Sequence, residues 1–360
     1  MHDTFTRVPA GESSPRPTES RPGADALRQL LGALPARRED AEAIVNGLVG
    51  DKLDDRDSRF ATPMTVRLGD VQLPLDRRGL ADSLASASPD IGSRICVLVH
   101  GLMSTESIWR YPSEPGMTYG TLLAEDHGLT QVSVRYNTGR HVSTNGRDLA
   151  HLLNRLVSMW PTRVREINLI GHSMGGLVVR SACHYARRVW PLGRRLPIGR
   201  PWTAKLRRVV LIGVPNTGAG LEALVNSASA ALWALPIPAT RFVGLGLDQR
   251  SAGIKDLRFG AILDEDWLER DPGMWRRSHP HRPTRLRRAR HLVITGSVTA
   301  DPEHPVARVL GDALVTAPSA SGHSPDGALL PGAVVRTFPG VTHNALAHHP
   351  AVYEAISSWW

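Results

Sequence analysis

Six apolar runs recur along the chain: "RICVLVHG", "TQVSVRY", "EINLIGHS", "RRVVLIGVP", "RHLVITGS" and "AVVRTFPG". Most are continuous in valine, isoleucine and leucine, as a strand covered on both faces requires. Between most of them lie stretches with helical spacing, such as "NGRDLAHLLNRLVSMW" and "GGLVVRSACHYARRV". Strands alternating with helices predict an α/β fold with a mainly parallel central sheet flanked by helices. No internal repeat is visible.

Ahead of this regime the pattern is different. "MTVRLGDVQLPL" alternates around a Gly-Asp turn and predicts a hairpin. Residues 24–50 predict a helix, with Leu27, Leu30, Leu31 and Leu34 at helical spacing. Residues 1–22 are rich in Pro, Ser, Gly and Arg and read as a disordered leader. The expected organisation is therefore 1–22 leader, 23–92 helical segment and hairpin, and 93–360 as the main domain.

Within that domain the interval from Gly218 to Arg290 is too long for a plain crossover. "LEALVNSASAALWALP" and "DLRFGAILDEDWL" inside it read as helices. A helical cap over about 218–290, inserted after the strand ending near Val214, is expected. Trp233, Leu235 and Ile237 are its candidate substrate-facing residues, with packing of the cap onto the core as the competing role.

Composition narrows the class. Of 360 residues 41% are hydrophobic, enough for a sizeable core. The net charge of +9 is concentrated in arginine runs such as "RRSHPHRPTRLRRAR". Such runs usually form solvated faces, and no nucleic-acid motif accompanies them. Weak association with an anionic membrane surface is the sharper alternative; no nucleic-acid partner is expected, and the oligomeric state stays open. Cys96 and Cys183 are the two cysteines, both in apolar contexts, so a disulfide framework is not indicated. The first residues hold no apolar signal region, and "ASAALWALPIPA" is too short and proline-broken to span a bilayer. A cytoplasmic protein is expected. There is no H-E-x-x-H and no paired C-x-x-C, so no metal is expected. "GVPNTGAG" has Ala219 where a phosphate loop needs lysine.

The chemistry lies in "INLIGHSMGGLVV". Gly171-His172-Ser173-Met174-Gly175 fits G-x-S-x-G between a predicted strand and a predicted helix. That context displays the Ser173 hydroxyl on a tight turn above a helix N-terminus, with Gly171 and Gly175 letting neighbouring backbone pass. A serine needs a base, and the order expected is Ser, acid, His. His343 follows the last predicted strand and precedes a C-terminal helix. Asp312, Asp301 and Asp326 qualify as the acid by order, in that order of preference. The Met174 amide and the Leu102 amide, in the loop opened by His100-Gly101, are the expected oxyanion donors. His100 is expected to orient that loop, and His172 to support the elbow.

On "VLVHGLM", "INLIGHSMGGLVVRS", "LIGVPNTG", "GDALVTAPSA" and "GVTHNALAHHPAV" the chain resembles the lipase/esterase branch of the α/β-hydrolase superfamily. More narrowly it is similar to bacterial lipase-like and PGAP1-like hydrolases, helped by "YNTGRHVSTNGRDLAHLL". The resemblance covers roughly residues 93–360. It implies serine hydrolysis of carboxylic esters through an acyl-enzyme. Ser173 would be the nucleophile, His343 base then acid, Asp312 the orienting acid, and Leu102 and Met174 the oxyanion donors; no cofactor is implied. One departure is Asn216, where lipases often carry His. The alternatives are acyl transfer by the same triad, or a non-enzymatic lipid-binding or scaffold protein on a hydrolase fold.

Overall fold

The computed structural model describes residues 38–55, 58, 61–87, 91–188, 202–219, 251–268, 288–299, 312, 315–324 and 327–360. Helix α1 (Arg38–Asp55) comes first, with a non-helical Val49 inside it. The expected Leu27, Leu30, Leu31 and Leu34 lie outside the described residues, as do residues 1–22. Strands β1 (Thr65–Leu68) and β2 (Val71–Leu73) then form the hairpin, closing with Leu68 opposite Val71.

Helix α2 (Arg77–Ala87) leads to β3 (Arg94–Val99), helix α3 (Tyr119–His127), β4 (Thr130–Arg135), helix α4 (Val142–Met159), β5 (Glu166–His172), helix α5 (Met174–Arg188) and β6 (Leu206–Ile212). The predicted strand-helix alternation is therefore present. Helices α6 (Ala252–Phe259) and α7 (Glu265–Leu268) precede β7 (Arg290–Ser297). A short helix α8 (Ala317–Ala320) and a small ribbon of β8 (His323–Ser324) and β9 (Gly327–Ala328) precede β10 (Val334–Pro339) and the final helix α9 (Pro350–Trp359).

The main sheet has the order β10-β7-β6-β5-β3-β4-β1-β2. From β10 to β4 all neighbours are parallel, and the hairpin joins antiparallel, with Val66 opposite Val134. β3 shows why its sequence is apolar throughout. Ile95, Val97 and Val99 point into one core with Leu149, Leu153 and Leu177. Cys96 and Leu98 point into the other with Tyr119, Leu123, Val352 and Ile356. Both cysteines are free and buried.

Two expectations need comment. The stretch "DLRFGAILDEDWL" is not one helix. Gly260 ends α6 in the left-handed conformation (φ 67°), where a residue without Cβ fits. The Asp266 carboxylate then accepts the Ile262 and Leu263 amides, each at 2.9 Å, and holds the chain in a loop before α7. Of the expected cap, 220–250 and 269–287 lie outside the described residues, including Trp233, Leu235 and Ile237.

The N-terminal helix packs on the rest of the fold. Thr105 donates to Asp40 at 3.0 Å, Asn137 to the Gly50 carbonyl at 2.9 Å, and Ser251 to the Gly47 carbonyl at 2.6 Å. These contacts place α1 against the loops that leave β3 and β4 and against the start of α6.

Candidate active site

Ser173 is the single residue between β5 and α5, and its φ is 53°. A left-handed conformation at a non-glycine residue is costly and persists only when the surroundings impose it. The surroundings here are backbone. A Cβ on Gly171 would fall 2.6 Å from the Gly176 Cα, and one on Gly175 would fall 2.3 Å from the Val99 and His100 carbonyl oxygens. The Ser173 amide donates to Ile212 O at the end of β6, 2.8 Å away. The turn therefore presses the serine against both neighbouring strand ends.

His343 and Asp312 meet beside that point. His343 Nδ1 lies 2.8 Å from Asp312 Oδ2, and both side chains are buried. A carboxylate only accepts, so Nδ1 carries a hydrogen, and in the neutral tautomer that this selects the lone pair is on Nε2. Asp312 is held from both sides. Its Oδ1 accepts the Val315 amide at 2.9 Å, and its carbonyl accepts the His343 amide at 3.0 Å. The pair sits over Gly213, whose Cβ would fall 3.1 Å from His343 Nδ1 and 3.3 Å from Asp312 Oδ2. Gly213 directly follows Ile212, the acceptor of the serine amide. Ser173, His343 and Asp312, 170 positions apart in sequence at the extremes, thus converge at the carboxyl ends of β5, β6 and β7. Asp301 and Asp326 lie outside the described residues.

The flanking histidines are neutral by construction. His172 Nε2 lies 3.0 Å from the His343 carbonyl, so Nε2 carries the hydrogen. Burial first, and the nearby His343 second, push the proton affinity of His172 down to about 3. His100 Nδ1 donates to the Gly101 carbonyl at 2.9 Å, and burial pushes its value down to about 4. Its ring stacks on Tyr136 at 4.6 Å, and the Tyr136 hydroxyl donates to the His100 carbonyl at 2.9 Å. Neither ring carries a positive charge near neutral pH.

The amides expected to face an oxyanion are positioned by the same packing. Gly101 lies against the serine: a Cβ there would fall 2.9 Å from Ser173 Cβ and 3.4 Å from Ser173 Oγ. The Met103 amide is committed to Thr138 Oγ1 at 3.2 Å, so it is not a free donor in this loop; Leu102 is the residue before it. Met174 opens α5, where amides without intrahelical partners and the helix dipole favour negative charge. Gly253 of α6 closes over Met174, with its Cβ position 2.9 Å from Met174 Cε and 2.1 Å from the Thr138 carbonyl.

Sequence reading did not single out Met103, Tyr136, Thr138 or Gly253. Met103, Tyr136 and Thr138 reach the site because β3 and β4 are parallel neighbours, which brings "YNTG" next to "HGLM". Among the described residues no group of three or more His, Cys, Asp or Glu side chains could hold a metal ion, and no helix is long and apolar enough to cross a membrane.

A family profile described as "Alpha/beta hydrolase family" matches residues 96–356. Among solved structures, the chain is similar to the mature lipase BlEst2 of Bacillus licheniformis, at 16% identity and TM-score 0.46 over 76% of this chain and 93% of that one. It is also similar to a thermophilic esterase from Thermogutta terrifontis, at 16% identity and TM-score 0.41 over 75% and 89%. The carboxylesterase CesB (YbfK) of Bacillus subtilis aligns at 12% identity and TM-score 0.39 over 74% and 82%. No curated protein matches the sequence.

Proposed function

Because the chain belongs to the alpha/beta hydrolase family, we propose that it is a serine hydrolase that cleaves carboxylic esters through an acyl-enzyme. The observation that carries this reading is the buried His343–Asp312 pair beside a serine on a left-handed turn. In the first step Ser173 Oγ attacks the ester carbonyl while His343 Nε2 takes its proton. Asp312 keeps His343 in the required tautomer and stabilises the imidazolium. The Leu102 and Met174 amides stabilise the oxyanion, and His343 then protonates the departing alkoxide. Water, deprotonated by the same Nε2, hydrolyses the acyl-enzyme and frees Ser173. No step requires a cofactor.

The test is hydrolysis of p-nitrophenyl esters from acetate to palmitate by wild type and Ser173→Ala, with fluorophosphonate labelling alongside. Activity and labelling that both vanish in Ser173→Ala support the reading, and the chain-length optimum separates esterase from lipase. Hydrolysis that is equal in both proteins overturns it.

A further inference from the structure

Asn216 lies four residues past β6, and its side chain is buried with three hydrogen bonds. Oδ1 accepts from Arg180 Nη1 at 2.8 Å; Nδ2 donates to the Val214 carbonyl at 3.2 Å and the Ala320 carbonyl at 3.0 Å. The backbone around it grips the same neighbour. The Asn216 amide donates to Ser319 O at 3.2 Å, the Thr217 amide to Ser319 Oγ at 3.1 Å, and Ser319 Oγ to the Gly218 carbonyl at 2.8 Å. Ser319 and Ala320 end α8, and Val315, two residues before that helix, donates its amide to Asp312 Oδ1 at 2.9 Å. The loop after β6 therefore clasps the helix just past the amide that holds the carboxylate.

Arg180 settles which way the clasp points. An amide side chain can be turned over, but a guanidinium has donors only, so Oδ1 must face Arg180 and Nδ2 must face Ala320. Arg180 sits on α5, the helix that begins beside Ser173, and is itself buried. Burial lowers its proton affinity to about 10, which leaves it charged at neutral pH, and the nearby Asp266 carboxylate favours that charge. A neutral histidine offers one donor and one acceptor, so it could not meet Arg180, Val214 and Ala320 together. The asparagine at this position is thereby explained by its partners.

We propose that Asn216, oriented by Arg180, is the positioning residue that sets Asp312 against His343. The proposal rests on the serine-hydrolase reading for the use of that pair, but its geometric content is testable without catalysis.

The experiment records the far-downfield imidazole Nδ1 proton by NMR and, in parallel, kcat and KM for ester hydrolysis. Proteins compared are wild type, Ser173→Ala, Asp312→Ala, Asn216→Ala and Ser319→Ala. Asp312→Ala assigns the resonance by abolishing it, and Ser173→Ala retains it. The proposal expects the signal to shift upfield or broaden in Asn216→Ala. It expects kcat to fall roughly tenfold or more from misplacement alone, with KM within about twofold. Ser319→Ala removes two bonds of the clasp at small volume cost, so it reports in the same direction if Asn216→Ala fails to fold. A resonance and kcat unchanged in either folded clasp variant overturn the proposal. Absence of Ser173-dependent hydrolysis in wild type would instead sink the functional reading, while the resonance still decides the clasp.

Discussion

His172 donates from Nε2 to the backbone carbonyl of His343 across 3.0 Å, so the residue before the serine holds the backbone of the residue that follows the last strand. An imidazolium could make the same bond, so it is burial, with the nearby His343, that keeps the ring neutral.

The consequence is an acid-sensitive fold. His172 and His100 take up protons near 6.5 when unfolded but only near about 3 and about 4 when folded. Below pH 6.5 the unfolded state therefore binds more protons, and stability falls as pH drops toward 4. Each ring adds a slope of at most about 1.4 kcal/mol per pH unit. Denaturant unfolding at pH 7 and pH 5 should show a loss in wild type and a smaller one in His172→Gln, whose amide can still donate. Equal losses in both would refute the assignment.

Asp312→Asn should preserve the fold and destroy activity. The amide can still accept from Val315, but its NH2 then faces His343 Nδ1 and selects the tautomer with hydrogen on Nε2. That removes the base, and kcat should fall about 10³- to 10⁴-fold with KM little changed. A tenfold loss or less would mean that the pair is structural.

Gly175→Ala should damage the protein far more than Gly116→Ala. At Gly175 the new methyl meets two backbone carbonyls at 2.3 Å, while at Gly116 nothing lies within 4 Å. Overpacking against rigid backbone costs about 1–3 kcal/mol or more; the control should stay within about 0.5 kcal/mol. Thermal unfolding of the two variants measures the difference, and equal midpoints would count against the elbow geometry.

Asp40→Ala should loosen α1 from the loop that follows β3. It removes the carboxylate that accepts from Thr105 at 3.0 Å and Ser107 at 3.3 Å. The expected loss is about 1–2 kcal/mol of stability, with kcat/KM reduced several-fold because Leu102 precedes Thr105 in the same loop. Unchanged unfolding and unchanged kinetics would show that the helix is only an accessory.

The strands, their parallel arrangement and the serine turn were legible in local pattern. Burial on two faces forces apolar residues at successive positions, as in Ile95 to Val99, and a turn crossed by backbone forces Gly171 and Gly175. His343 was legible by order, because it follows the last run and precedes a helix. The break of the predicted 256–268 helix at Gly260 was partly legible too, since glycine is a common helix stop. The choice of Asp312 was not forced by order, because two other aspartates share that order; its 2.8 Å approach to His343 exists only in the tertiary structure. Nor could periodicity place α1 on the loop after β3, assign hydrogens to His100 and His172, or join Arg180 to Asn216. Those facts depend on which groups meet after residues dozens to hundreds of positions apart are brought together, and on which of them can only donate or only accept. A linear pattern records what each segment must bury; it does not record what each segment will be buried against.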